Sequence, residues 1–300
     1  MEYFLELSLS GLTRGSIYAL IALGYTMVYG IIQLINFAHG EVYMIGAFVA
    51  LIVAGVLTIY GFTGVSILVL AGLIAVLYAA AYGYTLERIA YRPLRGAPRL
   101  SPLISAIGMS LFLQNYVLLA QTPDFLPFPE LIPEFDFMEP IAHIMGSAEL
   151  IILIVTTVTM IGLTLLIKYT KIGKAMRATQ QDMIMARLVG VNVDRVISVT
   201  FIIGSILAAI AGVLVGSYIG QINYFIGFMA GVKAFTAAVL GGIGNIPGAV
   251  LGGLVLGLAE SFAAGYISSA YEDVFAFGVL VLILILRPSG LLGKAVKQKV

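Results

Sequence analysis

The sequence predicts an all-α, polytopic integral membrane protein, and three observations carry that prediction. Of its 300 residues, 61% are hydrophobic and only 10% are charged, where a soluble domain holds about 25% charged residues. Residues 15–86 contain one charged side chain, Glu41, and residues 196–259 contain one, Lys233. The apolar runs are continuous and close to the roughly 20 residues that a spanning helix needs, rather than alternating as in barrel strands. In lipid only helices and closed barrels satisfy their own backbone, so helices are expected throughout a single membrane domain, 1–300. This composition excludes a soluble enzyme, a nucleic-acid binder and a secreted disulfide scaffold. The absence of cysteine removes disulfides and thiolate metal sites. The opening Met1-Glu2-Tyr3-Phe4 lacks the basic residues that precede a cleavable signal segment.

Eight segments read as membrane helices: 10–33, 41–60, 64–86, 101–120, 149–168, 196–220, 229–262 and 268–286. The seventh is long enough for two half-helices, and Leu240-Gly-Gly-Ile-Gly-Asn-Ile-Pro-Gly248 at its centre would break it. Tyr60, Tyr91, Tyr169, Tyr224 and Tyr271 fall near span ends, where an amphipathic ring is stable.

Orientation follows from the basic residues. Fourteen of the sixteen Lys and Arg fall into three clusters. These are Arg88, Arg92, Arg95 and Arg99; then Lys168, Lys171, Lys174, Arg177, Arg187 and Arg195; then Arg287, Lys294, Lys297 and Lys299. The positive-inside rule places all three, and so the C-terminus, in the cytoplasm. The loop 121–148 carries Asp124, Glu130, Glu134, Asp136 and Glu139 without a base, so it is expected outside. Parity then requires 229–262 to cross twice or to return to its own face. The side of the N-terminus depends on whether the chain breaks near 36–40.

Four groups of residues are candidates for function. Asn36, His39, Gly40 and Glu41 form a polar group in an apolar stretch. They line a hydrated pathway at a helix break, or they form an interfacial turn with Asn36 capping the next helix. One His and one Glu supply too few ligands for a metal, and no cofactor is expected. Gly241, Gly242, Gly244, Asn245 and Gly248 lack the Lys-Ser/Thr of a phosphate loop. A matching interruption in each half of a transporter marks its translocation route. Gly204, Ala208, Gly212, Gly216 and Gly220 recur at intervals of four, a spacing that lets helices pack closely.

The fourth group lies in the basic segment 171–195. Residues 173–190 have no proline and are expected to form one helix with an apolar stripe of Met176, Met183, Ala186 and Gly190. Gly190 reads as its stop. Such a helix lies on the membrane surface or docks into a partner's groove. Lys233 is expected to snorkel to the interface, and His143 in the acidic loop is expected to be solvated.

Several of these stretches together resemble Liv-type branched-chain amino-acid ABC permeases, the LivH-type subunit in particular. They are Gly15-Ser-Ile-Tyr-Ala-Leu-Ile-Ala-Leu-Gly24, Ile35-Asn-Phe-Ala-His-Gly-Glu-Val-Tyr-Met-Ile-Gly-Ala47, Lys174-Ala-Met-Arg-Ala-Thr-Gln-Gln-Asp182, Ala237-Ala-Val-Leu-Gly-Gly-Ile-Gly-Asn-Ile-Pro-Gly-Ala249 and Leu286-Arg-Pro-Ser-Gly-Leu-Leu-Gly293. The likeness runs nearly end to end, the acidic loop excepted. It implies the ABC-importer permease fold and alternating access for leucine, isoleucine and valine in a bacterial inner membrane. It also implies a second, similar permease, two cytoplasmic ATPases that hydrolyse the ATP, and an external substrate-binding protein. The family's coupling helix follows a Glu-Ala-Ala-x-x-x-Gly pattern. This chain keeps Ala186 and Gly190 but has Ile184 for the Glu and Met185 for the first Ala, which leaves the acidic contact to Asp182. The competing readings are a permease for urea, amides or other amino acids, and an ion-coupled carrier or channel. A carrier needs intramembrane ionisable groups, and this chain offers only His39, Glu41, Lys233 and Glu260.

Overall fold

The computed structural model describes residues 2–98, 100–134 and 145–293. Arg99, Asp136, Glu139, His143, Lys294, Lys297 and Lys299, used above for orientation, lie outside the described residues. Among the described residues the helices are α1 (Glu2–Ile32), α2 (His39–Ile59), α3 (Val65–Leu86), α4 (Leu100–Ala120), α5 (Ser147–Tyr169), α6 (Lys171–Gln181), α7 (Met183–Leu188), α8 (Val193–Ile219), α9 (Ile226–Gly241), α10 (Ile246–Tyr266) and α11 (Glu272–Leu286). A π turn, Glu87–Tyr91, and a 3-10 turn, Arg92–Leu94, extend α3. Two short strands, β1 (Leu126–Pro127) and β2 (Gln221–Ile222), pair antiparallel.

Eight helical segments are long and apolar enough to cross a membrane, and α9 is a shorter apolar ninth. The chain is a multi-pass membrane protein. The predicted seventh segment is therefore two helices, α9 and α10, joined by a turn at 242–245. At 1.5 Å per residue α9 is about 24 Å long, which takes it across most of a ~30 Å hydrocarbon core. Nine apolar helices in alternating directions bring the start of α1 and the end of α11 to opposite ends of the bundle.

Contacts identify those ends. At the basic end Arg92 pairs with Asp194 at 3.1 Å, and Gln180 donates to the Gly244 carbonyl at 3.4 Å. Buried Glu87, at the π turn, pairs with Arg95 and accepts from the Ser198 hydroxyl at 2.7 Å, which ties α3 to the start of α8. At the opposite end β1 pairs with β2, the Phe128 amide donates to Gly220 O at 2.8 Å, and Tyr3 donates to the Gly265 carbonyl at 2.8 Å.

Small residues set the interior. α10 lies antiparallel to α1, with Gly11 against Leu258, Gly15 against Leu254 and Gly253 against Ala19. A second glycine row on α10, Gly248 and Gly252, meets Gly241 and Ala237 of α9. With no Cβ between them the backbones come close enough for dispersion to act, which is what associates helices in lipid. On α8, Gly204 meets Gly24 and His39, Gly212 meets Tyr43 and Ala47, Gly216 meets Phe128, and Ala208 is fully buried. Gly220 differs from the row the spacing predicts. It caps α8 in the left-handed conformation at φ 74°, which a glycine adopts without strain, and a Cβ there would meet open space.

Helices α3, α4, α5 and α11 form the outside and expose Leu77, Leu119, Val158 and Ile285, an apolar surface suited to lipid or a neighbouring subunit. Tyr60, Tyr169 and Tyr271 are exposed, whereas Tyr91 is buried. Its hydroxyl reaches Asn36 Oδ1 at 2.8 Å, so Tyr91 is an internal tie rather than an interfacial ring.

Candidate functional site

The break between α1 and α2 packs inside the bundle. Helix α1 stops at Gln33, which has φ 52°, and residues 33–36 are non-helical. His39 Nε2 lies 3.2 Å from Ile21 O, and its ring meets the Tyr25 ring edge-on with centroids 4.8 Å apart. Glu41 Oε1 accepts from the Ser110 hydroxyl at 3.0 Å. Asn36, His39 and Glu41 are all buried, and each has a partner inside the protein, although Glu41 Oε2 has no hydrogen bond among the described residues. Asn36 does not cap α2 with its side chain. The N-cap is Ala38, without a side-chain bond, because the Asn36 amide is engaged by Tyr91. Gly40 sits against the Gly227 carbonyl and the Gly231 Cα. We predict that Gly40→Ala lowers the folded yield of the protein severalfold, measured by size-exclusion chromatography, since an added Cβ meets backbone that cannot move aside. An open lining position would tolerate it.

The glycine-rich turn lies elsewhere. Asn245 caps α10 through Gly248 N at 3.4 Å and donates to Leu292 O at 2.7 Å. The chain end closes over it, with Leu291 N on Leu240 O at 2.8 Å and Leu292 N on Gly241 O at 3.0 Å. Gly241 and Gly248 sit back to back, and Gly242 meets Gly293 and Ser289. Only Gly244 keeps room beside it, with Gln180 and Gly30 both 3.9 Å from where its Cβ would be. The two interruptions that the sequence pairs are not brought together. Gly40 and Glu41 pack on the first turns of α9, and 241–248 is a tight corner at the far end of that helix.

The basic segment is two helices, not one. Thr170 caps α6 by accepting from Gly173 N at 3.0 Å. Asp182 breaks the helix and caps α7, accepting from Ile184 N at 2.8 Å and Met185 N at 3.0 Å. One carboxylate oxygen, Oδ1, is thus taken by its own backbone. Met176 and Ala186 are buried against the rest of the chain, Met183 is half-buried, and Gly190 ends α7 at φ 87°. The apolar residues that α7 leaves exposed are Ile184, Met185, Leu188 and Val189, on the side opposite the expected stripe.

One ionic cluster was not assembled by sequence reasoning. Lys233 of α9 does not snorkel. It is nearly buried and lies 3.2 Å from Glu260, 2.7 Å from Asp273 and 3.6 Å from Glu272. Tyr18 donates to Glu260 at 2.7 Å, and Arg14 pairs with Glu272 at 3.1 Å. The cluster joins α1, α9, α10 and α11. Beside it is a cavity of about 440 Å³ at the end of the bundle that carries β1 and β2. Arg14, Tyr18, Lys233 and Glu272 line it, as do Tyr218 and Gln221, and Ile226, Met229, Ala230 and Val215 are among its apolar lining.

Comparison with known proteins agrees with the architecture. High-affinity branched-chain amino acid transport system permease protein LivH of Escherichia coli K12 is 51% identical, over 99% of this chain and 98% of its own. Permease protein BraD of the corresponding system of Pseudomonas aeruginosa is 52% identical over the same shares. The xylose/arabinose import permease protein XylH of Sulfolobus acidocaldarius is 31% identical over 63% of this chain and 53% of its own. The family model for "Branched-chain amino acid transport system / permease component" matches residues 7–284, and the chain belongs to that family of transport permeases.

Proposed function

We propose that this chain moves leucine, isoleucine and valine across a bacterial inner membrane as one permease of an ATP-driven importer. The identity above 50% that runs end to end with branched-chain amino-acid permeases carries this reading. In it the chain performs no chemistry. A second permease of the same kind completes the pathway, two cytoplasmic ATPases hydrolyse ATP, and an external binding protein delivers substrate for alternating access. The basic end, with α6, α7 and the C-terminus, faces the cytoplasm by the positive-inside rule, and the β1–β2 end faces out, as does the N-terminus. The exposed apolar face of α7 is the docking element for an ATPase. The test of substrate is ATP-dependent uptake of radiolabelled leucine into proteoliposomes holding all subunits. Accumulation driven by a sodium or proton gradient without ATP overturns the importer reading.

The topology has its own test. The chain has no cysteine, so introduced thiols report without background. We expect Glu130→Cys to react with an impermeant thiol reagent in intact cells, and Gln180→Cys, exposed on α6 outside the docking face, to react only after permeabilisation. The reverse pattern inverts the proposed orientation.

A further inference from the structure

A zwitterion crossing a bilayer must exchange water for partners of both signs. A charge removed from water without a partner costs several kcal/mol, and an apolar passage supplies none. The cavity beside Lys233 joins groups of both signs to an aliphatic wall, and its volume of about 440 Å³ falls in the usual range for small-molecule sites, roughly 300–1,000 Å³.

The cluster has an inner and an outer part. Lys233 and Glu260 are 10% and 0% exposed at their side chains, while Arg14 and Glu272 are 37% and 28% exposed. Arg14 meets Glu272 through one nitrogen, and a guanidinium has five N–H donors in a planar fork that suits a carboxylate. We propose that this cavity is a binding site for a zwitterionic amino acid with an aliphatic side chain. Its carboxylate is held by Arg14, its ammonium by Glu272, and its side chain by the wall around Ile226, Met229 and Ala230. Inserting the ligand between Arg14 and Glu272 replaces one ion pair with two and leaves the charge balance unchanged. The inner ions stay paired, so no buried charge is left alone at any stage. A sugar or urea has no charges to make this exchange, and an anion alone leaves Glu272 unmatched.

This inference rests on the reading of the chain as an amino-acid importer, and it places the solute at a named site. The experiment uses the complete transporter with Ala230→Cys, and follows modification of this chain by a methanethiosulfonate reagent using mass spectrometry. Millimolar L-leucine is expected to slow modification at least fivefold. Isoamylamine, which lacks the carboxylate, and 4-methylpentanoate, which lacks the ammonium, are expected to leave the rate within twofold. Arg14→Gln added to Ala230→Cys is expected to abolish protection by leucine. Equal protection by leucine and isoamylamine shows apolar filling only and overturns the zwitterion site. Absence of protection, while proteoliposomes of the parent chain accumulate leucine, overturns the site and leaves the importer reading standing. Parent proteoliposomes that accumulate no leucine overturn the importer reading, and the site with it.

Discussion

Replacing Lys233 with methionine is expected to destabilise the folded permease by about 3–5 kcal/mol, the usual cost of removing one partner from a buried ion pair. Methionine fills similar space but leaves Glu260, fully buried on α10, and Asp273 without a cation, while Glu272 keeps only its pairing with Arg14. Glu260 then holds an uncompensated charge shielded from water, beside the partly exposed Asp273 and Glu272, and the ion pairs that hold α11 to α9 are lost. Native proteins are stable by only about 5–15 kcal/mol, so the variant should show a steep fall in the temperature at which the detergent-solubilised protein loses its monodisperse chromatographic peak. The second substitution Glu260→Gln should recover part of that loss. The amide keeps an acceptor for the Tyr18 hydroxyl, 2.7 Å from the native carboxylate, and removes the most deeply buried of the uncompensated charges. A Lys233→Met protein as heat-stable as its parent would mean that the ion pairs do not hold the helices together.

This cluster also marks where reading the sequence ends. The spans were legible because a bilayer sets their length and composition directly, and the Gly-Pro run at 241–248 correctly divided the long seventh segment. Lys233 looked like a snorkelling base because its ionic partners come from two other helices, α10 and α11, and nothing near it in the chain announces them. The same holds for Asn36 and Glu41. Their polarity in an apolar stretch stood out, but Tyr91 and Ser110, which bond Asn36 Oδ1 and Glu41 Oε1, became visible only once α2 lay against α4 and the π turn. The break in the basic segment was, by contrast, readable. Asp182 stands directly before the apolar run of α7, which is an N-cap signal. Continuity without proline hid it, and with it the true outward face. The one-helix pattern turned Ala186 outward; the break turns it in.

That rotation decides the second large effect. Leu188→Glu is expected to weaken association with the ATPase subunit about a hundredfold, with uptake falling in step. Leu188 is 75% exposed, and beside it Ile184, Met185 and Val189 are 72%, 60% and 77% exposed, which gives a six-residue helix an apolar surface with no cover from its own chain. In the proposed assembly that surface enters a groove on the ATPase. A carboxylate there is desolvated without a partner, and about 2.8 kcal/mol of that cost already amounts to a hundredfold in the dissociation constant. The solubilised permease alone should keep its stability within about 0.5 kcal/mol, because the site is exposed and remote from the bundle. Ala186→Glu should behave differently. Ala186 is 3% exposed, and its carbonyl holds the Val191 amide at 2.9 Å, so the new side chain must displace the packing of α7 on its own protein. Yield and thermal stability should fall even with no ATPase present. Co-purification of the ATPase, read beside heat stability of the isolated chain, separates the two variants. If Leu188→Glu binds ATPase normally and sustains uptake, α7 is not the docking element, and its apolar face lies on the membrane surface instead.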